Sequence, residues 1–362
     1  MDNLKIKNIL IIATGGIGNF IMFTPTLSVL MKHFKNAKFY YIINNSAVRR
    51  IISNFDRVEK VFFWEENRCK LFINLIPKLL HIRFDIAILA YNTWITKNFF
   101  VWLLRARIRV GHRISSKRLR IKNSKIFLSH AITIDVNTMH EAEINLQLLT
   151  CLGISINNKN VDLLFPLKKQ DFIFAEKFVK TACLNKDTPI LAIHAGSNKY
   201  QEFKRWPAGY YAELADLFIE RFNAVILIFE GYDDGNIGEI IISNMIHKDN
   251  VLLCKQLKLS IVGALLKKCQ FIVSNDSALS HIASAVQTPV FTIIGPTNEK
   301  RTAPWGYQSL AIYKKNMACR PCYIDPGQEF YCRNDRKCLI NISPLEVFNF
   351  IMNHYSKTNF RI

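Results

Sequence analysis

Long apolar runs are the first thing this chain lacks. No uninterrupted stretch among its 362 residues reaches the roughly 18–20 apolar residues that a membrane-spanning helix needs. The greasiest region, residues 71–104, is broken by Lys78, His81, Arg83, Asp85 and Lys97. An integral membrane protein is therefore not expected. Glycine is also thin, 14 residues in all, and its arrangement excludes the common phosphate loops. No G-x-x-x-x-G-K-[ST] sequence occurs. Gly16-x-Gly18 lacks the third glycine of a dinucleotide fingerprint, because position 21 is Ile21. No acid closes the apolar stretch 38–43, which further disfavours a nicotinamide-dependent oxidoreductase. Solenoid repeats and low-complexity tracts are absent as well.

Acids are the next shortage. Asp and Glu number 28 against 48 Lys and Arg, a net charge of +20. The imbalance is uneven: residues 1–170 carry 26 Lys and Arg against 10 acids. Its densest part, RARIRVGHRISSKRLRIKNSK at 105–125, holds nine cations and no acid. Such a half is either a solvated, solubilising surface or the face of an acidic partner: nucleic acid, an anionic membrane surface or an acidic substrate. No recognised nucleic-acid module accompanies the charge, so nucleic acid is not expected. The opening residues Met1-Asp2-Asn3-Leu4-Lys5 run towards a short strand without a cleavage site, which gives the expectation of a cytoplasmic protein.

Apolar residues make up 50% of the chain, enough for two ordinary cores. The pattern predicts strands at 7–13, 38–43, 58–63 and 85–90, with helices around 19–34, 68–80 and 95–104. A helix over HEAEINLQLLTCLGI ends at Gly153, and a linker follows near Pro166. The second half repeats the rhythm, with strands at 190–194, 224–229, 251–254, 271–274 and 289–294 and helices between them. Strands alternating with helices give an α/β fold of parallel sheets covered on both faces. In such folds ligands bind outside the carboxyl ends of the strands.

Three loops of the second half carry polar chemistry at those ends. SNDSALSHIASAV follows strand 271–274; Asp276 is read as its N-cap, with the amides of Ser277 and Ala278 pointing out and His281 one turn along. HAGSNKYQEFKRWP, 194–207, sets Lys204 and Arg205 before a helix start, where two cations can neutralise a pyrophosphate. IGPTNEKRTAPWG, 294–306, adds Thr297, Lys300 and Arg301. In the first half, GGIGNF at 15–20 is either a plain strand-to-helix turn or a place where a ligand meets the backbone. Cys319-x-x-Cys322, Cys332 and Cys338 are either zinc thiolates or reduced thiols packed in a loop. Cys69, Cys151, Cys183, Cys254 and Cys269 read as ordinary buried residues.

Five stretches, in order along nearly the whole chain, resemble the ADP-heptose:lipopolysaccharide heptosyltransferase family, glycosyltransferase family 9. They are ILIIATGGIGNFIMFTPTLSVL, HEAEINLQLLTCLGI, HAGSNKYQEFKRWP, VSNDSALSHIASAVQTPVFTIIGPT and CRPC with two later cysteines. The resemblance implies a GT-B fold, two Rossmann-like domains whose parallel sheets face an interdomain cleft. Residues 1–165 would bind the acceptor and 166–343 the nucleotide sugar, with 344–362 returning to the first domain. It implies an inverting, metal-independent enzyme without a cofactor. That enzyme moves heptose from ADP-heptose, a nucleotide-diphosphate sugar, to a lipopolysaccharide core or another cell-surface glycan. The acceptor would be an anionic glycolipid at the inner face of the cytoplasmic membrane. A sugar-nucleotide epimerase of the same fold is the rival; it needs carboxylates on both sides of the sugar, and the first half offers few.

Carried over by position, Lys204 meets donor phosphate, Asp276 the donor sugar, the amides of Ser277 and Ala278 the pyrophosphate, and His281 supports the site. Ala278 stands where the family usually has glycine. Gly16, Gly18 and Asn19 fall to the acceptor. There the family has Gly-Asp, with the aspartate as base, whereas this chain has Gly18-Asn19. An amide cannot take a proton as a carboxylate does, so Asn19 is expected to position the acceptor hydroxyl. Asp276 and His194 are the other groups to consider as base.

Overall fold

The computed structural model describes residues 6–64, 67, 70–90, 95–114, 127–135, 137–156, 161–181, 188–323 and 330–358. Most of the basic run, 115–125, lies outside them, as do Cys69 and Cys183. The chain divides into two compact units, Met1–Pro166 and Leu167–Ile362.

The first unit holds β1 (Asn8–Ile12), β2 (Lys38–Ile43), β3 (Val58–Phe63), β4 (Ile86–Leu89), β5 (Ile108–Ile114) and β6 (His130–Ile134). They form one sheet in the order β3-β2-β1-β4-β5-β6, every pair parallel. β1 and β4, NILII and IAIL, are apolar almost throughout because helices cover both faces of a parallel sheet. The second unit holds β7 (Ile190–His194), β8 (Val225–Glu230), β9 (Val251–Lys255), β10 (Phe271–Asn275), β11 (Val290–Ile293) and β12 (Ala311–Ile312). Their order is β12-β11-β10-β7-β8-β9, again parallel. Both sheets thus have the doubly wound order of a Rossmann-like domain. The winding reverses between β1 and β4 in one and between β7 and β10 in the other, and these are the points where such sheets open a crevice.

Three expectations change. The helix expected from 19 is Ile17–His33, and Pro25 lies inside it. Proline leaves the Ile21 carbonyl without its usual N–H donor, and the Thr24 hydroxyl donates to that carbonyl instead at 2.6 Å. β5 and β6 were not expected, because the Arg-rich pattern of 105–113 reads as surface. In fact Ile108 and Val110 are buried there while Arg107 is exposed and Arg109 half-buried. The last helix, Pro344–Thr358, was expected on the first domain. It packs instead on the helix Ala208–Phe222 of its own unit, placing Val347, Ile351 and Tyr355 in the second core. Its apolar stripe finds Phe218 and Phe271 there, with ring centroids 4.8 Å apart for Phe218–Phe348 and 5.5 Å for Phe271–Tyr355.

Candidate active site

The second unit's crevice is built from the ends of β7, β10 and β11. Asn275, the last residue of β10, locks the loop after β7 in place. Its Oδ1 accepts from Trp206 N at 2.9 Å and from the Tyr211 hydroxyl at 3.0 Å, while its Nδ2 donates to the Ala195 carbonyl at 2.6 Å. That loop then delivers Lys204 onto Asp276, the residue after β10, with Nζ 3.3 Å from Oδ2. Both are buried, at 9% and 5% exposure. Thr297, from the turn after β11, donates to the same Oδ2 at 2.7 Å, and Thr302 lies at 3.4 Å. Burial would raise the Asp276 pKa. The Lys204 charge, the Thr297 hydroxyl and the His281 charge outweigh it and hold the carboxyl below its ordinary value. Lys204 Nζ also sits over the Tyr323 ring, 5.3 Å from its centroid.

Asp276 is not the N-cap of the following helix. The helix Ala278–Ala285 begins after Ser277, and no side chain caps it. The Ser277 hydroxyl is instead hydrogen-bonded to His194 Nδ1 at 3.0 Å. The amides of its first turn therefore meet the crevice without a side-chain acceptor. His194 Nε2 faces Asp234 Oδ2 at 3.3 Å, so both ring nitrogens are engaged, one by a hydroxyl and one by a carboxylate. Asp234 also accepts from Gly231 N at 2.6 Å. Burial opposes its ionisation, but the His194 contact, the Gly231 amide and Arg205 lower its pKa.

Arg205 is held by its surroundings. Nε donates to Ser197 Oγ at 3.0 Å. Nη2 donates to the carbonyls of Ser197 and Asp233, and Nη1 reaches the Asp234 carbonyl and Glu202 Oε1. Five partners meet its five donors, so Arg205 braces two loops beside the crevice.

In the first unit, Gly16 caps the helix Ile17–His33 with φ −72° and no side-chain cap, and Gly18 and Asn19 lie half-buried in its first turn. A Cβ built on Gly16 would meet nothing within 4 Å. Neither backbone conformation nor internal packing therefore demands glycine at that position. Beside it stands a residue the motifs did not single out. Lys97, from the helix that follows β4, is hydrogen-bonded to Thr14 Oγ1, and its Nζ lies 5.8 Å from the centroid of Trp64 after β3. Burial pushes its pKa down to about 8. The ends of β1, β3 and β4 thus converge on one cation at this unit's reversal point.

Other groups were also missed. Asn275 and Asp234 act through neighbours at the end of other strands, which no spacing reveals. Glu230 ends β8, buried, accepting from Gly238 N at 2.8 Å and facing Lys255 at 3.2 Å. Its signal was legible as the acid closing the apolar strand VILIFE. For the cysteines, Cys332 Sγ accepts from Arg336 N at 3.3 Å, and burial chiefly pushes the Cys338 thiol up to about 11. Among the described residues no three His, Cys, Asp or Glu side chains group as metal ligands. No described helix is long and apolar enough to cross a membrane.

Two doubly wound sheets, one with a buried cation and an uncapped helix start at its crevice, define a GT-B fold with an anion-binding crevice. The model of glycosyltransferase family 9 (heptosyltransferase) matches residues 72–328, and the chain belongs to that family. A lipooligosaccharide heptosyltransferase 2 of Campylobacter jejuni is 23% identical over 336 residues, covering 91% of this chain and 94% of its own. The structure of E. coli ADP-heptose lps heptosyltransferase II superposes with a TM-score of 0.71 at 19% identity, over 98% of this chain and 100% of its own. E. coli heptosyltransferase WaaC with ADP-2-deoxy-2-fluoro heptose gives 0.65 at 19% identity, over 96% and 99%.

Proposed function

We propose that this enzyme transfers heptose from ADP-heptose to an anionic lipopolysaccharide-core acceptor, the second unit binding the donor and the first the acceptor. The observation that carries the reading is the buried Lys204–Asp276 pair beside the uncapped start of the helix Ala278–Ala285. A cation and a row of amides at one crevice suit a diphosphate. The ADP and the ADP-sugar analogue bound to related E. coli heptosyltransferases support it. Glu230 ends the second strand of its sheet, where doubly wound sheets place the acid that meets a nucleoside ribose.

The acceptor hydroxyl attacks the anomeric carbon from the face opposite the diphosphate, the carbon–oxygen bond to phosphate breaks, and configuration inverts. Charge develops on the departing ADP, and Lys204 with the amides of Ser277 and Ala278 neutralises it without a metal. The three contacts to Asp276 converge on Oδ2, so Oδ1 is the oxygen assigned to the donor sugar. Thr297 and Lys204 fix that carboxylate, and His281 stands behind it. Gly16 and Gly18 let the acceptor approach the backbone. Asn19 orients its hydroxyl, whose proton leaves late to solvent. The reading places the enzyme in the cytoplasm, at the inner face of the membrane that carries its acceptor.

Titration calorimetry with ADP-heptose, UDP-sugars, NAD and short RNA tests this reading. Selective ADP-heptose binding, followed by turnover that survives a chelator, is expected. Preference for a UDP-sugar, or turnover lost to the chelator, overturns it.

A further inference from the structure

The helix Ile95–Leu103 buries Asn98, Phe100 and Val101, yet the opposite side is not polar. Phe99 is 37% exposed and Trp102 47%. They stack, with centroids 5.7 Å apart and planes at 29°. Phe127, from a separate segment leading into β6, packs edge-on against Phe99 at 5.3 Å and tilts on Trp102 at 5.8 Å. Three aromatic rings from two segments therefore make one surface patch. A water-facing helix ordinarily carries Lys and Glu at such positions. An exposed, contiguous aromatic patch points to a partner. Arg105 and Arg107 follow immediately, both exposed, and they open the acid-free run of nine cations.

We propose that Phe99, Trp102 and Phe127 form an interfacial anchor that seats the first unit on an anionic phospholipid surface. The proposal rests on the reading of a membrane-borne acceptor. Aromatic rings settle at headgroup depth, where one end meets acyl chain and the other water, and the flanking arginines meet lipid phosphate. A second copy of this chain would bring the same cations against themselves. Nucleic acid would satisfy the cations and stack on free ring faces, but Phe99 and Trp102 stack on each other and Phe127 packs against both, so these rings turn their faces to one another.

The test is co-sedimentation with phosphatidylcholine vesicles, with and without phosphatidylglycerol, using wild type, the double variant Phe99→Ser/Trp102→Ser and the conservative Trp102→Tyr. Wild type is expected on the anionic vesicles and to leave them as salt is raised. The double variant should lose at least about tenfold in partitioning, as expected when two aromatic side chains no longer enter the interface. Trp102→Tyr should keep most of it. An ADP titration of each protein serves as the folding control and separates two failures. A double variant that binds ADP normally and still sediments like wild type overturns the anchor. Wild type that ignores ADP overturns the donor reading and leaves the vesicle result to decide the patch. Self-association abolished by the double variant, or RNA binding lost in the double variant while no vesicle binds wild type, also overturns the anchor.

Discussion

Lys204 and Asp276 meet at 3.3 Å inside the second unit, although 72 residues separate them and they arrive from the ends of different strands. The pair is a positioning device as well as a charge. Lys204→Ala should weaken ADP binding by about 1.5–3 kcal/mol, a ten- to hundredfold change, since one charge-assisted contact to phosphate is lost. Calorimetry checks it, and unchanged affinity removes Lys204 from the donor site. Asp276→Asn should abolish turnover with the fold retained. The folded Asp276 pKa is depressed, so the stability its pairing contributes is present above the unfolded value. It is lost as pH falls through the lower folded one. An acid melt of Asp276→Asn should therefore converge on wild type only below the ordinary carboxylate range.

Gly196 has its own test. A Cβ there would lie 1.9 Å from Asp234 Oδ1, a carboxylate pinned by Gly231 N and His194. Gly196→Ala should expel Asp234, release His194 from that side and lower stability by about 1–3 kcal/mol through the broken buried contacts. Thermal melts read the loss; a neutral substitution would show that Asp234 moves freely.

Asn19 lies in a helix first turn that contains no acid. Asn19→Asp should add about 0.3–1 kcal/mol of stability from the helix dipole, and preserve or raise turnover by restoring a carboxylate. Asn19→Ala should cut turnover and leave ADP affinity unchanged. Wild-type turnover in Asn19→Ala would reduce the glycine turn to a connector.

Lys97 is expected to meet an anionic group of the acceptor. Its pKa of about 8 means the charge is lost as pH rises through that value. Acceptor KM should then climb above pH of roughly 8, and Lys97→Arg, charged throughout, should flatten the climb. Lys97→Met should show a high KM at every pH. A rate that rises through the same pH in wild type and vanishes in Lys97→Met would instead make the neutral amine a base.

Much of the architecture was legible beforehand. Apolar strands such as VILIFE and FIVSN, separated by helical stripes, can bury both faces only in a parallel sheet. The three polar loops at their ends followed from strand boundaries alone. What failed was local: charged side chains hid β5, whose buried residues alternate with arginines.

The order of residues along the chain by itself determined the α/β alternation, the two units and the placing of Lys204, Asp276 and Thr297 on loops at strand ends, because periodicity and turn chemistry act over a few residues. Only the tertiary structure decided what those loops do. It tied Arg205 to the carbonyls of two loops, and it engaged His194 on both nitrogens. It brought Lys97 to the glycine turn 83 residues away, and took the last helix into the second core. Donor counts, burial and pairings across the reversal of a sheet depend on which strands are neighbours, and adjacency in space is not written in spacing along the chain.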